Sequence, residues 1–204
     1  AITGSASELT AALVTSGSLV EVSDATATIN DADETGIAAT VLSAIGAKTT
    51  GTVTVTNAIA ISGSPAEVTA ALVTAGSLVE VTDATVTITG NPTITELNNI
   101  AAKTTGVVTA TLAADSLSNL GALTTAGTDA ITITVNDADA AGVTASDLST
   151  LGGKTAGTVT VTNAVAITGS AAEVTAALVT AGSLVVVSDA TVTITGNPTI
   201  SELN

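Results

Sequence analysis

Residues 61–98 read ISGSPAEVTAALVTAGSLVEVTDATVTITGNPTITELN, and residues 167–204 read ITGSAAEVTAALVTAGSLVVVSDATVTITGNPTISELN. The two stretches lie 106 residues apart and differ at five of 38 positions: Ser62/Thr168, Pro65/Ala171, Glu80/Val186, Thr82/Ser188 and Thr95/Ser201. The same offset carries Gly36 onto Gly142, Lys48 onto Lys154 and the run TVTVTN at 52–57 onto 158–163. A shorter unit lies inside this one. Gly51, Gly76, Gly106, Gly127 and Gly157 follow at intervals of 25, 30, 21 and 30 residues. A unit of about 27 residues cannot bury an apolar face alone, so such periods signal a stacked repeat array.

Each unit alternates two kinds of pattern. Val-rich runs such as Thr52-Val53-Thr54-Val55 and Leu78-Val79-Glu80-Val81 have the period of two that marks strands. A corner follows, Thr56-Asn57-Ala58 or Thr82-Asp83-Ala84, and then a second run, Ile59-Ala60-Ile61 or Thr85-Val86-Thr87-Ile88-Thr89. Val53, Val55, Ile59, Ile61, Val86 and Ile88 are expected to point inward. The period then becomes helical. Ser64-Pro65-Ala66-Glu67 has the form of a capping box, repeated at Ser5…Glu8 and Ser170…Glu173, and Asn91-Pro92 and Asn197-Pro198 form a second N-cap variant. Leu9/Leu13, Val68/Leu72, Leu97/Ile100 and Leu148/Leu151 continue the helices. A glycine supplies the left-handed stop. Lys48, Lys103 and Lys154 precede that stop in a K-T-x-G signature, where a cation suits the helix dipole.

The resulting expectation is a parallel β-solenoid, mixed α/β, with two short strands and one short helix per coil. Residues 1–204 would form one continuous solenoid of about seven or eight coils. Two walls would be parallel sheets and the third a row of helices. A leucine-rich-repeat α/β solenoid is the alternative, disfavoured by two strand runs per coil and the lack of a fixed Asn ladder. Ile2 matches Ile61 and Asn204 matches Asn98, inside a helix. Neither end carries a polar cap, so a window of a longer array, or a unit that stacks end to end, is expected.

Composition excludes much chemistry. The 204 residues contain no His, Cys, Met, Trp, Tyr or Phe. The usual general base, the thiolate and the aromatic stacking platform are therefore all missing. Three Lys against 18 Asp plus Glu give a net charge of −15, which disfavours nucleic acid and anionic membranes. No apolar run is long enough for a membrane-spanning helix. With 46% hydrophobic residues the chain is too apolar for a disordered acidic segment. No nucleophile elbow or P-loop is present. The triplets Asn91-Pro92-Thr93 and Asn197-Pro198-Thr199 are blocked as glycosylation acceptors by their prolines.

VTDATVTITGNPTITELNNIAAKTTG (81–106), ADSLSNLGALTTAGTDAITITVNDADA (114–140) and AKTTGTVTVTNA (47–58) resemble the Thr/Ala/Val-rich repeats of very large secreted bacterial surface proteins. These include adhesins, S-layer-like proteins and cell-surface filaments, of which cyanobacteria have many. The resemblance covers essentially the whole chain and rests on repeat grammar. It implies a β-solenoid, an extracellular or cell-surface location, export without disulfides and, often, calcium dependence. The GGxGxDxUx nonapeptide of calcium-binding repeats is absent.

The sharpest polar cluster is Asn30-Asp31-Ala32-Asp33-Glu34, with its copy Asn136-Asp137-Ala138-Asp139. Carboxylates so closely spaced at a turn suit calcium, which takes six to eight oxygens. Asp31, Asp33, Glu34, Asp137 and Asp139 are the candidate ligands. The competing role is a solvated corner whose Asp caps the next helix. Asp24, Asp83 and Asp189, alternating with Asn57 and Asn163, read as Asx turns between strands rather than as a cation-holding ladder. Glu8, Glu67 and Glu173 have capping spacing and no catalytic partner. Thr52/Thr54, Thr85/Thr87, Thr132/Thr134, Thr158/Thr160 and Thr191/Thr193 project outward and resemble ice-binding arrays, although Leu78/Glu80 and Ala58/Ala60 interrupt them. The expected function is a structural, non-enzymatic repeat segment of a surface or filament-forming protein that associates with copies of itself. A calcium-responsive adhesin module and an ice-binding protein are the alternatives.

Overall fold

The computed structural model describes residues 1–200 except Leu19, Ser77, Leu78, Ala181, Ser183 and Leu184. The strand position of Leu78, the Thr95/Ser201 difference and the match of Asn204 to Asn98 therefore lie outside the described residues. The chain divides into two compact units, Ala1–Ala110 and Thr111–Asn204.

The first unit begins with β1 (Ile2–Gly4) and α1 (Ala6–Leu9), which runs on into a π-helical turn over Thr10–Val14. Then come β2 (Ala27–Ile29), β3 (Gly36–Ala38), α2 (Ala39–Gly46), β4 (Val53–Val55), β5 (Ala60–Gly63) and α3 (Pro65–Leu72). It continues with β6 (Val79–Glu80), β7 (Thr85–Ile88), α4 (Ile94–Ala101) and β8 (Val108–Thr111). Strands β1, β2, β4 and β6 pair in that order, as do β3, β5, β7 and β8. Successive strands meet like against like: Ala27 faces Val53 and Val53 faces Val79, while Ile37 faces Ile61 and Ile61 faces Val86.

The second unit holds α5 (Leu117–Leu120), β9 (Ala130–Val135), β10 (Gly142–Thr144), α6 (Ala145–Gly152), β11 (Val159–Val161), β12 (Ala166–Ser170), α7 (Ala171–Leu178), β13 (Val185–Val187) and β14 (Thr191–Thr195). Strands β9, β11 and β13 pair in order, stacking Ile133, Val159 and Val185. Strands β10, β12 and β14 form a separate sheet in which Val143, Ile167 and Val192 align.

The core is aliphatic, as a chain without aromatics requires. Val53, Val55, Ile59, Ile61, Val86 and Ile88 are all buried, as are Ile131, Ile133, Val165 and Ile167 in the second unit. Each such side chain contributes about 1.5–3 kcal/mol on removal from water. The helices are short and depend on this docking. Among the described residues none is long and apolar enough to cross a membrane.

This architecture corrects the expected fold. The two-walled solenoid with one helix row does not describe it, and neither does the leucine-rich-repeat alternative. The chain is a mixed α/β fold with three parallel sheets, of four, seven and three strands, and seven α-helices among the described residues. The physical reason is that strand-like runs do not all become strands. Val20-Glu21-Val22 lies outside any strand, with Val20 about half exposed, and the stretch from Leu112 to Asp129 holds only α5 and an isolated bridge from Asp115 to Val135. Two strands per period is therefore not maintained along the chain.

Candidate functional site

The acidic motif lies between β2 and β3, and its copy between β9 and β10. In the first, Asp31 Oδ2 accepts the backbone N–H of Ala6, the first residue of α1, at 2.6 Å. The N–H of Ala58 donates to Asp33 Oδ1 at 3.0 Å, and Asn57 Nδ2 donates to the Asp31 carbonyl at 2.6 Å. The copy repeats each bond. Leu117 N–H, opening α5, donates to Asp137 Oδ2 at 2.7 Å, Ala164 N–H to Asp139 Oδ1 at 3.1 Å, and Asn163 Nδ2 to the Asp137 carbonyl at 2.7 Å. Each motif thus joins the backbone before it to the backbone after it, across 20–26 residues in either direction.

The Asp caps the preceding helix, whereas the sequence pointed to the next one. At the start of α2 the N-cap is Ala38, with no side-chain bond. Glu34 and Ala140 end the two motifs in the left-handed region, with φ of 63° and 59°, and their N–H groups reach the carbonyls of Ala58 and Ala164 at 2.8 Å. Among the described residues no three acidic side chains are grouped to hold a metal ion.

The K-T-x-G signature has a role that its sequence did not suggest. Lys48, Lys103 and Lys154 each lie two residues beyond a helix, and their N–H groups return to Ile45, Ile100 and Leu151. The following threonine grips an earlier corner. Thr49 Oγ1 donates to the Ala25 carbonyl and Thr104 Oγ1 to that of Ala84, both at 2.6 Å. Thr155 Oγ1 lies 3.0 Å from the Asp129 carbonyl and 2.7 Å from that of Ile131. The next N–H, of Thr50, Thr105 or Ala156, bonds the carbonyl of Ser23, Thr82 or Asp129 at 2.7–2.8 Å.

The glycine completes this clasp by close approach. A Cβ on Gly51, Gly106 or Gly157 would sit 2.6, 2.4 or 2.3 Å from a backbone carbonyl oxygen. None of the three has a positive φ; among the described glycines only Gly17, Gly90 and Gly196 do. The left-handed stop expected at the K-T-x-G glycines is thus replaced by a steric need for hydrogen in place of a side chain. At the corners, Ser23 and Ser188 hydroxyls donate to Asp24 and Asp189 Oδ1 at 3.5 and 3.0 Å, and backbone carbonyls do the gripping.

Capping boxes form at Ser5/Glu8, Ser64/Glu67 and Ser170/Glu173. A fourth uses Thr93 and Glu96, so Asn91-Pro92 precedes the N-cap instead of forming it. In all four, the N-cap backbone N–H, and next its hydroxyl, hold the glutamate below the usual carboxylate range. Asp115 is lowered too, by the Asn119 amide and then by the Ser116 N–H.

The threonines align in short ladders: Thr3, Thr28 and Thr54, which ends at Glu80; Thr144, Thr168 and Thr193; and Thr134 with Thr160, which ends at Val186. A groove of about 480 Å³ in the second unit is lined by Thr144, Asp147, Thr150 and Lys154 together with Asp137, whose carboxylate already caps α5. The threonines of the clasp are the working residues that sequence reasoning missed, and Asn57 and Asn163, read there as Asx-turn residues, also donate to the Asp31 and Asp137 carbonyls. Their available signal was repetition at a fixed distance from the lysine or from the acidic motif. No protein-family model matches the chain, and searches of curated proteins and of solved structures find no significant match.

Proposed function

We propose that the chain is a structural, non-enzymatic segment of an extracellular surface or filament-forming protein, which associates with copies of itself and does not engage nucleic acid. The observation that carries this reading is the employment of its polar groups. The carboxylates of Asp31, Asp33, Asp137 and Asp139, the capping glutamates and the clasp hydroxyls all bind backbone within the scaffold. Side chains used in this way tie distant segments of the backbone together and add stiffness. The charge of −15 opposes binding to polyphosphate and keeps unlike faces apart, so association falls to the apolar strand edges. Analytical ultracentrifugation from micromolar to millimolar concentration, with electron microscopy of the most concentrated sample, tests it. Mass that grows with concentration, and elongated particles, are expected. A monomer at every concentration overturns the reading.

A further inference from the structure

Each unit has a groove beside its Asp-capped short helix, and the two copies differ in polarity. In the first unit the groove is lined by Ala11, Ala38 and Val41. In the second, Thr144 and Asp147 stand where Ala38 and Val41 do, and Thr150 replaces Ala44. Residues 36–57 and 142–163 differ at eight positions, and these three are the ones that exchange an apolar side chain for a polar one. All three line the same groove of about 480 Å³, together with Lys154. Ser118 of α5 lies on the opposite wall, and Leu117, Val143 and Leu151 are buried at the base.

The two charges in this groove are not used by the scaffold. In the four capping boxes the N3 glutamate bends back to the N-cap N–H at 2.7–2.9 Å. Asp147 also stands at N3, and its N–H donates to Thr144 Oγ1 at 3.1 Å, but its side chain is one methylene shorter and does not close the box. Among the described residues neither the Asp147 carboxylate nor the Lys154 ammonium has a partner. The lysine backbone is held, because its N–H returns to Leu151 and its carbonyl accepts Thr125 Oγ1 at 2.8 Å. A carboxylate, three hydroxyls and an ammonium thus converge on a recess with an apolar base, the composition of a small-molecule site.

We propose that this groove binds a zwitterionic peptide of about three residues in extended form, its ammonium on Asp147 and its carboxylate on Lys154. The spacing supports the length. Seven residues of helical rise separate the charges by about 10 Å, and three extended residues span about the same distance. The hydroxyls of Thr144, Thr150 and Ser118 lie between the charges and suit the peptide's amide groups, which both donate and accept. The groove of the first unit has neither the carboxylate nor these threonines and is not expected to bind. This goes beyond the structural reading above and does not rest on it.

The test is titration of the ¹⁵N-labelled 204-residue chain with trialanine, followed by amide chemical shifts. Saturable shifts at Asp147, Thr150 and Lys154 are expected, with Val41 and Ala44 unmoved. Acetylating the peptide's amine, amidating its carboxylate, Asp147→Asn or Lys154→Gln should each weaken binding about threefold or more. The peptide variants leave the chain's folding untouched. Dialanine, too short to reach both charges, should weaken by a similar factor. Absence of saturable shifts up to about 10 mM overturns the proposal. So do equal affinities for free and doubly blocked trialanine, which would mean that the charges play no part. Equal shifts in the two grooves, or a neutral disaccharide binding as well as trialanine, would assign the recess to apolar or hydroxyl contacts and also overturn it.

Discussion

Strands β7 and β14 share the residues Thr-Val-Thr-Ile, follow near-identical corners and pair on one side with the same kind of strand, β5 or β12. Val86 is nonetheless sealed and Val192 is 44% exposed. Upstream, Val179 is 73% exposed. Among the described residues β8 pairs beside Val86 and no strand pairs beside Val192, so the cover over Val86 comes from β8 and not from the sequence of β7 itself. An alternating run makes a surface that is apolar on one side, and only a seated neighbour turns it into core.

The strongest way to break the comparison is to unseat that neighbour. Gly106→Val places a branched side chain against the Ala84 carbonyl, where even a Cβ would be 2.4 Å away. It should cost on the order of 3 kcal/mol in chemical denaturation and strip the Val86 amide of hydrogen-exchange protection. Gly182→Ala, where nothing lies within 4 Å, should cost less than about 0.5 kcal/mol. Equal losses at the two glycines would mean that close approach is not what Gly106 serves.

Truncation of the twin valines comes next. Val86→Ala should destabilise by roughly 2 kcal/mol, through lost transfer energy and a cavity, and Val192→Ala by less than about 1 kcal/mol. Urea midpoints for the two variants measure this difference, and similar values would refute the claim that the two copies differ in cover. Thr104→Val sharpens the comparison further. It removes the bond to the Ala84 carbonyl and the acceptor of the Gly106 N–H, at about 1 kcal/mol. Exchange at Gly106 should rise while Val192 keeps its own rate.

The smallest effect should be equal in both copies. Glu67 and Glu173 are fully exposed, and each is held below its ordinary range first by the N-cap N–H and then by the hydroxyl of Ser64 or Ser170. Their stabilising contribution is therefore complete above the unfolded value of about 4.3 and is lost as pH falls through the lower folded value. Glu67→Gln and Glu173→Gln should each lower stability slightly at pH 7, and the loss should shrink as pH falls below the unfolded value. A contribution from one copy only would show that cover reaches the helix caps as well.

What the sequence revealed was local. Capping boxes were legible because donor and acceptor lie three residues apart, and the inward aliphatics because alternation fixes which side they take. Thr93…Glu96 was equally local and was eclipsed by the neighbouring Asn91-Pro92 signal. The clasp was hidden because the carbonyl that Thr49 or Thr104 seeks lies 24 or 20 residues upstream and leaves no mark in residue type. The same distance hid the target of Asp31, which is a helix 25 residues before it.

By itself the sequence determined which segments are able to be strand or helix, that the core is aliphatic, and that the chain is strongly acidic with no imidazole or thiol. The tertiary structure alone decided which of those strands join, how many sheets result, and which of two identical valines meets solvent. The reason is that propensity and capping act within a few residues, whereas sheet membership and burial depend on the arrival of a partner from a distant part of the chain.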